Sequence, residues 1–174
     1  MVRCQIRGPA KVLFLRMQSD ILRMFEAVRI SPKWWTQSSM ERSPFESYVL
    51  DSSVLIAFYA KNDSMHAEAV VLIQDIGLAR ILLHPFVVQE TVTVLTRKAG
   101  LDMARQFIDD IFKSENVQLI HHDIESELEV FKATGTKMSL TDIALANTAQ
   151  IRDAVLVTFD KELMRFIAAR GKSE

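Results

Sequence analysis

Tyr48-Val-Leu-Asp51-Ser-Ser-Val-Leu-Ile-Ala-Phe-Tyr-Ala60 reads as a short buried strand that stops at an aspartate and passes directly into a helix. An unbroken apolar run of this length suits a parallel strand covered on both faces. Similar unbroken runs follow at 81–83 (Ile-Leu-Leu) and 154–157 (Ala-Val-Leu-Val), and one broken by Gln118 lies at 117–120 (Val-Gln-Leu-Ile). Helical patterns lie between them, at 52–60 and 64–78, 86–99 and 101–113, 123–134 and 139–152, then 161–169. Local punctuation agrees. Pro85 suits the first turn of a helix, Gly100 falls just past a helix end, and Ser139 is a good N-cap. Strands alternating with helices predict an α/β fold with a parallel sheet.

The chain has 174 residues, 49% of them hydrophobic, which is enough for one domain with its own core. Its net charge of −1 excludes a uniformly basic nucleic-acid binder, but the charge is unevenly spread. Residues 1–46 carry eight Lys/Arg against four Asp/Glu, and residues 47–174 carry 13 against 18. A basic arm thus precedes an acidic body. A single cysteine, Cys4, forbids an intrachain disulfide and fits a reducing compartment. Val12-Leu-Phe-Leu15, the longest apolar run near the start, is too short for a signal sequence or a membrane span. A soluble cytoplasmic protein is therefore expected.

In the arm, Phe14, Met17, Ile21, Met24, Phe25 and Val28 recur at helical spacing with Arg16, Arg23 and Arg29 between them. Pro32, Pro44 and Thr36-Gln-Ser-Ser39 read as a linker. The division expected is a partly helical basic extension over 1–46 and an α/β domain over 47–174. The arm could touch nucleic acid or a partner, pack on the domain, or be a tail ahead of an alternative first residue, Met40. Trp34 and Trp35 could stack on bases or pack against the body.

An open parallel sheet binds ligands beyond the carboxyl ends of its strands. The residues there are Asp51-Ser52-Ser53, His84-Pro85, His121-His122-Asp123 and Thr158-Phe159-Asp160. Two further acids, Glu90 and Asp142, fall early in helices that reach the same edge. Each acid has a plain structural role available. Asp51 and Asp160 can cap helices, and Asp142 stands three residues after Ser139 as in a capping box. Glu90 shares its helix face with Phe86, Val87 and Val94, where an unpaired carboxylate is costly; Arg97 is its simplest ionic partner. Together the four acids point elsewhere. Two charges about 4 Å apart repel by about 4 kcal/mol at an effective dielectric of 20, so a converging set needs a cation. An all-oxygen cage suits Mg²⁺ or Mn²⁺ and could serve phosphodiester hydrolysis.

Val49-Leu-Asp51-Ser-Ser-Val-Leu-Ile, Glu90, Ser139-Leu-Thr-Asp142-Ile-Ala-Leu-Ala and Val157-Thr-Phe-Asp160-Lys resemble the successive motifs of the PIN domain family, in particular its VapC-like toxins. The resemblance runs from about Tyr48 to Ala169. It implies a three-layer α/β/α fold around a parallel sheet of four strands, or five with a final edge strand. Asp51, Glu90, Asp142 and Asp160 become the catalytic and metal-binding set, and Ser53 and Thr158 hydroxyls that orient water, carboxylate or phosphate. The implied activity is Mg²⁺/Mn²⁺-dependent endonucleolytic cleavage of RNA, tRNA or other structured RNA included. A homodimer and an inhibitory antitoxin are implied as partners. The alternatives are an RNA-processing nuclease outside a toxin–antitoxin pair and a binding module without turnover. Residues 1–46 lie outside the family pattern, and the chain stops where many members add the edge strand.

Other groupings compete. His84, His121, His122 and Asp123 could form a transition-metal site, although His84 belongs to a different strand end and adjacent histidines tend to diverge. His66 reads as a surface or capping residue, and the acidic run through Glu125, Glu127 and Glu129 as a solvated helix face. A haloacid-dehalogenase-type phosphotransferase would need an acid two residues after Asp51, where Ser53 stands. Lys61, Arg97, Lys98, Lys137 and Lys161 are candidate phosphate contacts.

Overall fold

The structure, a computed structural model, describes residues 47–170 of the chain. The reading of residues 1–46, Trp34 and Trp35 included, lies outside the described residues. From the start of the described part the order is β1 (Ser47–Leu50), α1 (Ser52–Tyr59), α2 (His66–Ile76), β2 (Arg80–Leu83), α3 (Pro85–Lys98) and α4 (Leu101–Lys113). Then come β3 (Val117–Leu119), α5 (Ile124–Thr134), α6 (Leu140–Ile151), β4 (Val155–Val157) and α7 (Lys161–Arg170). The alternation expected from the apolar runs is present, with boundaries within about two residues.

All strands are parallel, in the order β3-β2-β1-β4. Tyr48 pairs with Ile81 on one side and with Val155 on the other, so β1 is central. Successive strand residues face opposite sides of a sheet. Tyr48, Val49 and Leu50 are all buried, so helices cover both faces of β1, the three-layer α/β/α arrangement. The sequence expects the same of the other unbroken runs, β2 and β4, and the edges of the sheet differ. Val155 in β4 is 43% exposed and Leu119 in β3 41% exposed, because each edge strand lacks a neighbour on one side. Among the described residues the sheet has four strands and no fifth.

The core gathers β1, β2 and the apolar sides of the helices around them, with α6 the most deeply set. Five of its residues, Ile143, Ala144, Leu145, Ala146 and Ala149, are buried apolar side chains. Small side chains there let α6 lie close against β1 and β4, and its first turn is thereby fixed relative to the strand ends. His66 is not the surface or capping group expected. Its Nδ1 lies 2.8 Å from the Ala57 carbonyl oxygen, joining the start of α2 to α1. Tyr59 donates to Asp110 at 2.8 Å and ties α1 to α4.

The chain runs β1 to β2 to β3 in one direction, then returns to place β4 on the far side of β1. Strand order therefore reverses between β1 and β4. Residues just beyond these two strands border the crevice in which open α/β sheets bind ligands.

Candidate active site

Asp51 follows β1 directly, and its N–H donates to the Val157 carbonyl at 3.0 Å, extending the β1–β4 ladder by one residue. It occupies the N-cap position of α1 yet makes no side-chain cap. Its carboxylate is used differently. Oδ2 accepts from the Ser53 hydroxyl at 2.6 Å and from the Thr158 hydroxyl at 2.7 Å. Those hydroxyls in turn accept from the N–H groups of Phe159 at 3.1 Å and Asp160 at 2.9 Å. The turn after β4 is thus joined to the acid after β1, and a buried carboxylate with donors on it is what such a site requires.

Asp160 does cap its helix: Oδ1 accepts from the N–H groups of Glu162 at 2.6 Å and Leu163 at 3.2 Å. Asp142 completes the expected capping box. Its Oδ2 accepts from the Ser139 N–H at 3.1 Å and hydroxyl at 2.6 Å, while its own N–H donates to Ser139 Oγ. Glu90, in the second turn of α3, is solvent-exposed and not set in the apolar surface expected of it, and among the described residues Arg97 is not its ionic partner. Ser52 meets it instead, donating to Glu90 Oε2 at 2.9 Å and lying 3.4 Å from Asp51 Oδ1. Sequence reasoning passed over Ser52 in favour of Ser53. Only its place beside Asp51 hinted at a role, because the partner lies 38 positions away.

All four acids line one open cleft of about 690 Å³, together with Ser52 and Ser53, and among the described residues no lysine or arginine lines it. Among the described residues none of the four is in an ion pair. Each commits one oxygen to protein donors and keeps the other nearly or wholly uncommitted: Asp51 Oδ1, Glu90 Oε1, Asp142 Oδ1 and Asp160 Oδ2. Carboxylate oxygens are the ligand type that hard divalent cations take. Among the described residues no three His, Cys, Asp or Glu side chains are already drawn together closely enough to hold one. Lys61, Arg97, Lys98, Lys137 and Lys161 are all exposed and outside the lining.

Two expectations nearby are corrected. Because β2 and β3 are adjacent, their strand-end histidines meet: the rings of His84 and His122 lie 4.8 Å apart. Glu127 is not on a solvated face but buried, with Oε1 3.5 Å from His84 Nε2. Asp123 caps α5, accepting from the Glu125 N–H. His84 Nδ1 accepts from the Phe86 N–H at 3.2 Å, which places the proton of the neutral ring on Nε2, facing Glu127. Burial, aided by His122, pushes His84 down to about 4. Burial pushes Glu127 up, with His122 partly opposing.

A family model, the PIN domain, matches residues 48–168, well over half of the chain. The crystal structure of Mycobacterium tuberculosis VapC20, a sarcin-ricin loop cleaving toxin, is similar with a TM-score of 0.60 at 20% identity. The match covers 68% of this chain and 93% of that one. PAE2754 from Pyrobaculum aerophilum gives a TM-score of 0.44 at 19% identity, covering 69% and 83%. The comparison with curated proteins gives no match.

Proposed function

This chain belongs to the PIN domain family, and from that premise we propose that it is a metal-dependent endoribonuclease, the toxin of a type II toxin–antitoxin pair. One observation carries the reading: four acids from separate elements line one cleft, with no cationic side chain among the described residues of its lining. Asp51, Glu90, Asp142 and Asp160 would hold Mg²⁺ or Mn²⁺ through the oxygens they leave uncommitted. Bound there, the ion would supply Lewis acidity toward the phosphate and lower the pKa of a water.

The chain's own groups do the rest. Ser53 and Thr158 fix the Asp51 carboxylate in one rotamer, and Ser52 fixes Glu90 beside it. Hydrolysis forms a bond from water oxygen to phosphorus and breaks one phosphorus–oxygen ester bond. The proton lost by water is taken by a cleft carboxylate, and one is returned to the departing oxygen. RNA reaches this acidic body through local cations such as Lys61, Arg97, Lys98, Lys137 and Lys161. A homodimer in the cytoplasm, held in check by an antitoxin, completes the proposal, with residues 1–46 as a basic extension. Among the described residues no helix is long and apolar enough to cross a membrane.

The test is cleavage of end-labelled tRNA and a sarcin-ricin hairpin with Mg²⁺, Mn²⁺ or EDTA, beside Asp51→Asn and Asp142→Asn. The hairpin is included because VapC20 cleaves that loop. Metal-dependent cutting that drops at least about 100-fold in both variants is expected, since electrostatic groups of this kind are worth that much. Equal cutting by wild type and variants would remove the assignment.

A further inference from the structure

The cleft continues past its acids along α3. Gln89, Glu90, Thr93 and Val94 line it, occupying two successive turns of one helix face. The same face one turn earlier carries Phe86, four residues before Glu90. Phe86 and His122 are both half-buried, and their rings meet edge to face with centroids 5.0 Å apart. His84, fully buried, supports both, 4.7 Å from the Phe86 ring and 4.8 Å from that of His122. The Phe86 N–H donates to His84 Nδ1, so Phe86 is held through its backbone as well as its ring.

We propose that Phe86 and His122 form a stacking platform for a nucleobase next to the scissile phosphate. The proposal rests on the nuclease reading and adds where the RNA lies. Three observations converge on it: both residues follow strands at the carboxyl edge of the sheet, Phe86 stands about one helical turn before Glu90 of the cleft, and both side chains are only partly buried. Single-stranded RNA is recognised by splaying bases onto such rings. Any base has a stacking face, so this platform adds affinity and register without choosing a sequence. Its support by a buried third ring leaves little to be ordered on binding.

The experiment is a double-mutant cycle on the full chain, with short labelled RNAs carrying one abasic nucleotide at each position near the cut. Phe86→Leu keeps apolar volume and removes the aromatic face; Phe86→Trp restores one. On intact RNA, Phe86→Leu is expected to raise KM roughly 5- to 100-fold, the size of one stacked base. On RNA abasic at one particular position it adds nothing further, and Phe86→Trp behaves as wild type. His122→Ala shows the same non-additivity, and it decides the matter should Phe86→Leu fail to melt cooperatively. An unchanged KM, or additive losses at every position, overturns the platform while cleavage itself stands. If wild type cuts no RNA under any metal, the nuclease reading falls and this proposal falls with it.

Discussion

Ser52 and Ser53 are consecutive, yet the helix start sends them to different carboxylates. Ser53 serves Asp51, and Ser52 reaches across to Glu90. Groups that orient a ligating side chain are commonly worth 10–100-fold in metal affinity. Ser52→Ala should therefore weaken Mn²⁺ binding by roughly 10- to 100-fold, read by calorimetric titration, with Ser52→Thr recovering most of it. Unchanged Mn²⁺ affinity would show that Glu90 needs no anchor. Away from the acids, His84 gives a pH prediction. Its pKa is lowered from 6.5 to about 4, so its neutral form contributes stability that is complete above 6.5 and lost as pH falls toward 4. The full loss is about 3 kcal/mol. Glu127 acts in the opposite sense: its raised pKa means that the folded state takes up a proton more readily, so acidification relieves a buried charge. Urea midpoints measured between pH 7 and 4 should fall more steeply in Glu127→Gln and less steeply in His84→Asn, which retains a capping side chain. Parallel slopes in all three proteins would remove the pair from any role in acid sensitivity.

Elements explain what the sequence could and could not show. Apolar runs and turn residues located every described strand and helix because period and punctuation are local properties. That Asp51, Glu90, Asp142 and Asp160 would border one cleft was legible for a related reason: each sits just after a strand or early in a helix, and the fold rule carries such positions to one edge. Burial was harder to read. Glu127 looked like part of a solvated acidic face, but α5 turns it toward His84, and no local pattern encodes what a neighbouring strand end presents. The link from Ser52 to Glu90 and the contact between His84 and His122 were hidden likewise, being set by tertiary approach. At the start of α6, Asp142 both lines the cleft and closes the capping box with Ser139 through one oxygen. Ser139→Ala should cost about 1 kcal/mol in urea unfolding. The same change should lower Mn²⁺ affinity by more than that loss alone implies, because Asp142 is then free to turn away. A stability loss with intact Mn²⁺ affinity would assign the box to folding only.

For the molecule as a whole, charge decides how the cleft can exist. Residues 47–174 carry five more acids than bases, and four of the acids line a cleft that no lysine or arginine among the described residues lines. Self-repulsion of this kind destabilises the compact state, and a cation that binds only the folded form reverses it by mass action. Mg²⁺ at about 100 times its dissociation constant adds about 2.7 kcal/mol, which for a domain of this size raises Tm by roughly 5–15 °C. Sodium chloride at matched ionic strength screens the same charges without entering between them, so its effect should be a small fraction of that shift. Asp142→Asn should melt higher than wild type in EDTA, since one repelling charge is gone, and respond much less to Mg²⁺. The two curves should then cross as Mg²⁺ is raised, the variant the more stable at low concentration and the wild type at high. Differential scanning fluorimetry across a Mg²⁺ series reads the crossing directly. Coincident curves, or an equal rise with sodium chloride, would mean that the acids do not share a cation.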